Sequence, residues 1–207
     1  MTPVPPENDR RPEPMTDEQI RAAYVGEPPA PLSVPVRLVE YDAAWPRLFG
    51  REAARIQAAL GDRVVRLEHT GSTSVPGLAA KPVIDMLLVV RDSSDEPAYL
   101  PALEAAGYRL RIREPDWYQH RLLKGPDTDV NLHVLSAGCS EIDRVLLLRD
   151  RLRGHDDERD LYQRTKRELA SRRWNYVQNY ADAKSAVIES IIARARAERA
   201  RVIGADE

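Results

Sequence analysis

Two short stretches hold the residue types that could do chemistry. The first, "HTGSTSVPGLAAKPVIDMLLVV", runs from residue 69 to residue 90. If the residues before it form a strand, Gly71 and Ser72 sit at the strand end. There a glycine lets another group approach the backbone, and a serine offers a hydroxyl and an N–H to an anion. A helix starting near Ser72 or Thr73, with Ser74 in its first turn, would add free amides and a positive dipole end. That outlines a phosphate cradle, with His69 just before it and Lys81 just after it as a phosphate-facing cation. Asp85 stands alone inside "VIDMLLVV", where an uncompensated charge is costly to bury. On a strand beside the loop it would be placed to hold a divalent cation, Mg²⁺, against phosphate oxygens. The second stretch is "DVNLHV", residues 129–134. In a strand, Asp129, Asn131 and His133 share one face while Val130, Leu132 and Val134 take the other. If that strand borders the one carrying Asp85, then Asp85, Asn131 and His133 share a pocket with Ser72. Such a mixed set suits one cation, or a proton shuttle through His133 with no cation.

Each of these residues also has a structural reading. Ser72 could cap a helix. Asp85 could be a buried acid paired with Lys81, Arg66 or backbone amides. His133 could be a satisfied strand histidine, and His69 could bond the loop backbone.

The elements that must position these groups follow from periodicity. Residues 1–33, with "TPVPPENDRRPEP" and "GEPPAPLSVP", combine prolines with sparse apolar residues and read as a disordered tail, apart from a short helix over 16–24. Residues 34–203 read as one domain, a sheet core over 34–137 and a helical part over 140–203. The stretch "VPVRLVEY" alternates as a strand, "AAWPRLFGREAARIQAALG" has helical spacing and closes on Gly61, and "RVVRLEHT" is again strand-like. "PVIDMLLVV" is the continuous apolar run of a strand covered on both faces. "EPAYLPALEAAG" predicts a helix stopped by Gly107. "YRLRIRE", "QHRLLKG" and "DVNLHVLS" complete a mixed sheet, the last two joined through Gly125-Pro126. Three helices follow: "SEIDRVLLLRDRLRGH", "DDERDLYQRTKRELASRR" and one long helix from Trp174 to about Val202. Ser140, Asp156 and Asp157 supply capping chemistry at two of the starts, and Leu161, Leu169, Val177, Val187, Ile188, Ile191 and Ile192 read as core.

Composition narrows the partners. The chain has 207 residues, 43% hydrophobic and 31% charged, a globular balance. A formal net charge of −2 gives no basic excess for duplex nucleic acid or an anionic membrane, so any anion must be held by a local pocket. Cys139 is the only cysteine, which fits a reducing compartment, and the expected location is cytoplasmic. The longest strongly apolar run, residues 86–90, is far short of the roughly 20 residues of a spanning helix. The oligomeric state stays open.

The pattern of an apolar strand, Gly-Ser, and an acid on the adjacent strand resembles the nucleotidyltransferase fold. More closely, "EHTGSTSVPGLAAKPVIDMLLVV", "NLHVL", "LLLRDRLRGHDDERDLYQRTKRELA" and "YADAKSAVI" resemble the GrpB-like family, a branch of that fold, from about residue 36 to residue 192. The resemblance implies an α/β (α+β) nucleotidyltransferase-like mixed sheet with a C-terminal helical segment. It also implies a nucleotide or phosphorylated small molecule as ligand, and nucleotidyl or phosphoryl transfer with Mg²⁺ on Asp85. Its Tyr-x-x-x-Lys motif makes Tyr180 and Lys184, one helical turn apart, further pocket candidates. The sequence departs from the catalytic pattern at Leu87, where that fold carries its second acid on the same strand face. Two-metal chemistry needs several anionic ligands. Two alternatives therefore stand beside transfer: a non-catalytic ligand-binding or partner-supporting module, and a metal-independent enzyme using His133 as acid–base.

Overall fold

The apolar run around Asp85 is a sheet strand with both faces covered, as its lack of alternation requires. In a computed structural model, which describes residues 13–203, the strands are β1 (Arg66–Thr70), β2 (Ile84–Val90), β3 (Arg109–Glu114), β4 (His120–Lys124) and β5 (Val130–Ser136). They form one mixed sheet in the order β1-β2-β5-β4-β3, in which only the β2–β5 pair is parallel. The helices are α1 (Asp17–Ala23), α2 (Trp45–Leu60), α3 (Leu100–Ala105), α4 (Ser140–Gly154), α5 (Asp156–Ala170), α6 (Val177–Asp182) and α7 (Ser185–Ile203). The α/β fold class expected from the sequence is observed.

Strand alternation sorts the core into two layers. Met86, Leu88, Val90, Leu132 and Val134 point to one face, where Ile56 and Leu60 of α2, Leu103 of α3 and Tyr108 cover them. Leu87, Val89 and Leu135 point to the other, against Ile142 and Leu146 of α4. By the same two-residue period, Asp85, Asn131 and His133 belong to this second face, beyond the end of the α4 contact. Outside it, Val75 and Leu78 of the loop pack on Leu152, Tyr162 of α5 and Ile191 of α7.

Local chemistry sets the helix limits. Pro46 sits in the first turn of α2, and Gly61, at φ 56°, ends that helix. α4 and α5 begin at Cys139 and His155 without a side-chain cap, so Ser140 and Asp156 lie inside their helices. Glu141, Asp143, Asp156, Asp157 and Glu158 act there through the dipole.

Several expectations are corrected. Residues 34–41 make only the isolated bridge Val39↔Ala80 and no sheet strand, Pro35 having no N–H to give. Ser72–Ser74 is a single 3₁₀ turn and not the start of an α-helix. The chain leaves it at Val75, before Pro76 and the left-handed Gly77 at φ 77°. The long C-terminal helix is two, α6 and α7, broken at Ala183 and Lys184. Val177 is 41% exposed and is not core.

Of the expected tail, residues 1–12 lie outside the described residues, and the rest is docked. Thr16 and Gln19 form a capping box that starts α1, matching the expected short helix. Ile20 is 2% exposed. Val25 N–H donates to Arg111 O at 2.8 Å on β3, and Met15 N–H donates to Asp182 Oδ2 at 2.9 Å on α6. This segment therefore bridges the sheet and the C-terminal helices. Sparse apolar residues were a poor guide because backbone hydrogen bonds to β3 and Asn175, and not apolar burial alone, tie it down. Among the described residues, no helix is long and apolar enough to cross a membrane.

Candidate functional site

The site begins with a close contact. Gly71, at φ 63°, lies so near Asp85 that a Cβ built on it would stand 2.2 Å from Asp85 Oδ2. Glycine is required there twice over, for the left-handed backbone and for the carboxylate that fills the space of a side chain. The strand register places Thr70 opposite Asp85, and Asp85 opposite Asn131 on the parallel neighbour. Asp85, Asn131 and the Gly71-Ser72 bend are thus brought together, as the sequence predicts.

Asn131 Nδ2 donates to Asp85 Oδ1 at 2.8 Å, while its Oδ1 accepts from Lys124 Nζ at 2.9 Å, which fixes the amide orientation. His133 Nε2 stands 3.9 Å from Asp85 Oδ1, an ion-pair approach too long for a direct hydrogen bond. The Asp85 side chain is 30% exposed and that of His133 36%. Burial works against ionisation of Asp85, but His133, Asn131 and Lys81 outweigh it and hold the carboxyl below its ordinary range. Asp129, the third polar residue of the β5 alternation, is paired with Lys124 and lies 55% exposed.

Three lysines feel the charge of this carboxylate. Burial lowers the pKa of Lys81, Lys166 and Lys184, and Asp85 raises each of them. Lys184 in turn lowers Lys81 and Lys166, the signature of like charges held near one another. Lys166 is 2% exposed and is brought down to about 7, burial being the largest cause. Its Nζ donates to Ser72 Oγ at 3.1 Å and also to Ala79 O. Burial pushes the phenol of Tyr162, on the same buried stripe of α5, up to about 12. Ser72 is therefore held by a buried ammonium group.

Lys166 and Tyr162 were not among the candidates the sequence supplied. Their signal lies in the α5 periodicity: Glu158, Tyr162, Lys166 and Leu169 fall on one stripe, and that stripe is buried. A lysine at a core position of an amphipathic helix is the cue.

Other predicted residues support the loop from behind. His69, 7% exposed, stacks on Phe49 with ring centroids 4.9 Å apart. Its Nε2 is 3.1 Å from Thr73 Oγ1, and Thr73 donates onward to Val83 O. Burial lowers His69 to about 4, so it is a neutral ring at physiological pH. Ser74 Oγ donates to Gly71 O at 2.7 Å. Tyr180, 1% exposed, packs with Val36, Leu169 and Ala170, and Lys184 Nζ sits 5.0 Å above its ring. The break between α6 and α7 is what places Lys184 at the cleft.

A cavity of about 570 Å³ opens beside these groups. Its lining is mixed: Ser72, His133, Lys184, Arg144 and Arg149 stand with the carboxylates of Glu114, Glu141, Asp182 and Glu189, and Ile20, Tyr24, Ile112, Trp117 and Leu122 supply apolar surface. The donor set does not fit a protein-held Mg²⁺. The second-acid position, Leu87, is 2% exposed and packed against α4. No cluster of three or more His, Cys, Asp or Glu suited to a metal occurs among the described residues. Ammonium groups around one carboxylate repel a divalent cation and attract an anion.

Comparison with known proteins agrees with this architecture. A family model described as GrpB protein matches residues 35–194. A UPF0157 protein of Halalkalibacterium halodurans is 57% identical over 184 residues, covering 89% of this chain and 94% of that protein. A dephospho-CoA kinase of Mycolicibacterium paratuberculosis is 30% identical over 176 residues, covering 72% of this chain and 43% of that protein. Among solved structures, conserved protein GrpB from Enterococcus faecalis superposes with a TM-score of 0.69 at 30% identity, covering 79% of this chain and 99% of that one.

Proposed function

The chain belongs to the GrpB family, and from that premise we propose that its cleft binds a phosphorylated small molecule, of nucleotide type, at the Gly71-Ser72 bend. The observation that carries this reading is that Ser72 and Lys184 line one cavity while the buried Lys166 bonds the Ser72 hydroxyl from behind. A buried lysine bonded to a serine hydroxyl, with a second lysine in the same cleft, is chemistry for a phosphate. The apolar wall containing Tyr24 and Trp117 gives the remainder of the ligand, such as a base, a surface to lie on. A dephospho-CoA kinase among the relatives supports a nucleotide-related ligand.

Binding by the lysines requires no metal from the protein, and the buried Leu87 favours it over two-metal transfer. Isothermal titration with ATP, dephospho-CoA and inorganic phosphate, each with EDTA or with Mg²⁺, tests the reading. At least one nucleotide is expected to bind saturably in EDTA, and Lys184→Ala is expected to abolish that binding. No binding to any of the three would refute it. His133 in the same cleft favours a second reading, metal-independent acid–base catalysis on the bound ligand. Turnover that survives EDTA and is lost in His133→Ala would support it.

A further inference from the structure

Behind His133, on the side away from Asp85, lies a chain of hydrogen bonds that the binding reading does not use. His133 Nδ1 is 3.0 Å from His120 Nε2, and His120 Nδ1 is 2.7 Å from Glu114 Oε2. The strand pairing builds it, since Glu114 on β3 stands opposite His120 on β4, and β4 pairs with the strand carrying His133. The two imidazole planes are tilted by only 24° with centroids 5.2 Å apart. The short N···N contact therefore lies near both ring planes, where an N–H and a lone pair point. His120 is 4% exposed and the Glu114 side chain 10%, so neither depends on water to set its geometry.

The direction of this chain follows from what each atom can do. An ionised carboxylate only accepts, so His120 carries its proton on Nδ1. A neutral His120 then presents a lone pair at Nε2, which His133 must meet with Nδ1–H. A neutral His133 in turn has its lone pair on Nε2, the nitrogen facing Asp85 and the cleft. We propose that Glu114 and His120 are positioning residues that hold His133 as a directional proton acceptor for a hydroxyl or water presented by the ligand in the cleft.

In that step the ligand or water O–H bond breaks and an Nε2–H bond forms. The resulting imidazolium faces Asp85 Oδ1, which balances its charge, while Asn131 keeps the carboxylate in place. The proposal rests on the binding reading only for the presence of a ligand, because the relay exists without one. It gives a function to two residues, Glu114 and His120, that sequence patterning did not select.

The test uses the full-length ligand-free protein labelled with ¹⁵N-histidine. Two-bond ¹H–¹⁵N correlation spectra, recorded at a pH where both rings are neutral, report which nitrogen of each ring holds the proton. The expected result is Nδ1–H on both His120 and His133, with Nε2 of His133 unprotonated. His120→Phe removes the acceptor behind His133 and is expected to return it to the Nε2–H form that imidazole prefers in water. His120→Gln places an amide oxygen near the position of Nε2 and is expected to restore the wild-type form. Wild-type His133 with its proton on Nε2 overturns the proposal, and so does a tautomer unchanged in His120→Phe. Should the Phe variant not fold, the wild-type spectrum decides alone. Absence of nucleotide binding would refute the binding reading and leave this measurement untouched.

Discussion

Lys166→Met offers the sharpest perturbation, because it separates what Lys166 does for the fold from what it does for the site. Burial, followed by the charge of Lys184, brings this lysine from 10.5 down to about 7. Between about pH 7 and pH 10.5 the unfolded chain holds a proton here that the folded protein has released. Stability must therefore rise with pH across that window, by up to about 1.4 kcal/mol per pH unit. At pH 7 the group handicaps the folded state by about 4 kcal/mol relative to a side chain that never charges. Met fills a similar volume without the charge. It leaves the Ala79 carbonyl without the Lys166 donor, at a cost of about 1–3 kcal/mol. The variant is expected to be more stable than wild type by about 1–3 kcal/mol at pH 7, raising Tm by roughly 2–4 °C per kcal/mol. The advantage disappears by about pH 10, where the wild-type handicap has shrunk to about 1 kcal/mol and no longer exceeds the cost of the lost Ala79 contact. Urea unfolding of both proteins at a series of pH values from 6 to 10 provides the assay. A variant less stable than wild type at pH 7, with parallel pH curves, would refute the reasoning and show a fully charged lysine that the fold welcomes. Nucleotide titration of the same variant should show binding lost despite the gain in stability.

If Lys166 and its neighbours take up a proton as an anion enters, titration near pH 8 in buffers of different ionisation enthalpy should reveal net proton uptake; an enthalpy independent of buffer would contradict this. Gly71→Ala drives a methyl group into Asp85 at a left-handed backbone position, so a loss of about 2–4 kcal/mol is expected. Combining it with Asp85→Ala should recover part of that loss, and strict additivity in a double-mutant cycle would count against the contact. Glu96 is held down at about 2, first by its hydrogen bond to Arg113 and also by Arg121. Its folded value lies below the unfolded one, so its contribution is full above about pH 4.5 and fades as pH falls toward 2. Glu96→Gln should cost about 2 kcal/mol at pH 7 and almost nothing at pH 2, measured by denaturant unfolding.

Much of the site was legible because strand alternation is a strict rule. Asn131 and His133 share the face of Asp85 in the structure, as the two-residue period demanded, and the register sets Asp85 directly opposite Asn131. The Gly-Ser bend after β1 was equally clear. What the sequence could not reveal was distance across the fold. Lys166 lies 94 residues beyond Ser72 and touches it only because α5 packs on the loop. The Glu114–His120–His133 chain depends on register between three strands. His69 had the right neighbours in sequence but points behind the loop. Nothing in "YADAKSAV" forbids a helix from continuing through Ala183, yet the chain turns there and delivers Lys184 to the cleft.

The segment before residue 34 has one more consequence. The family match starts at residue 35, while Met15, Ile20 and Tyr24 stand among the residues around the cavity. A polypeptide trimmed to the matched region would retain the lysines and Ser72 but forfeit part of the cavity wall. On the proposed reading, contact with the anion and enclosure of the rest of the ligand therefore fall to different portions of the chain.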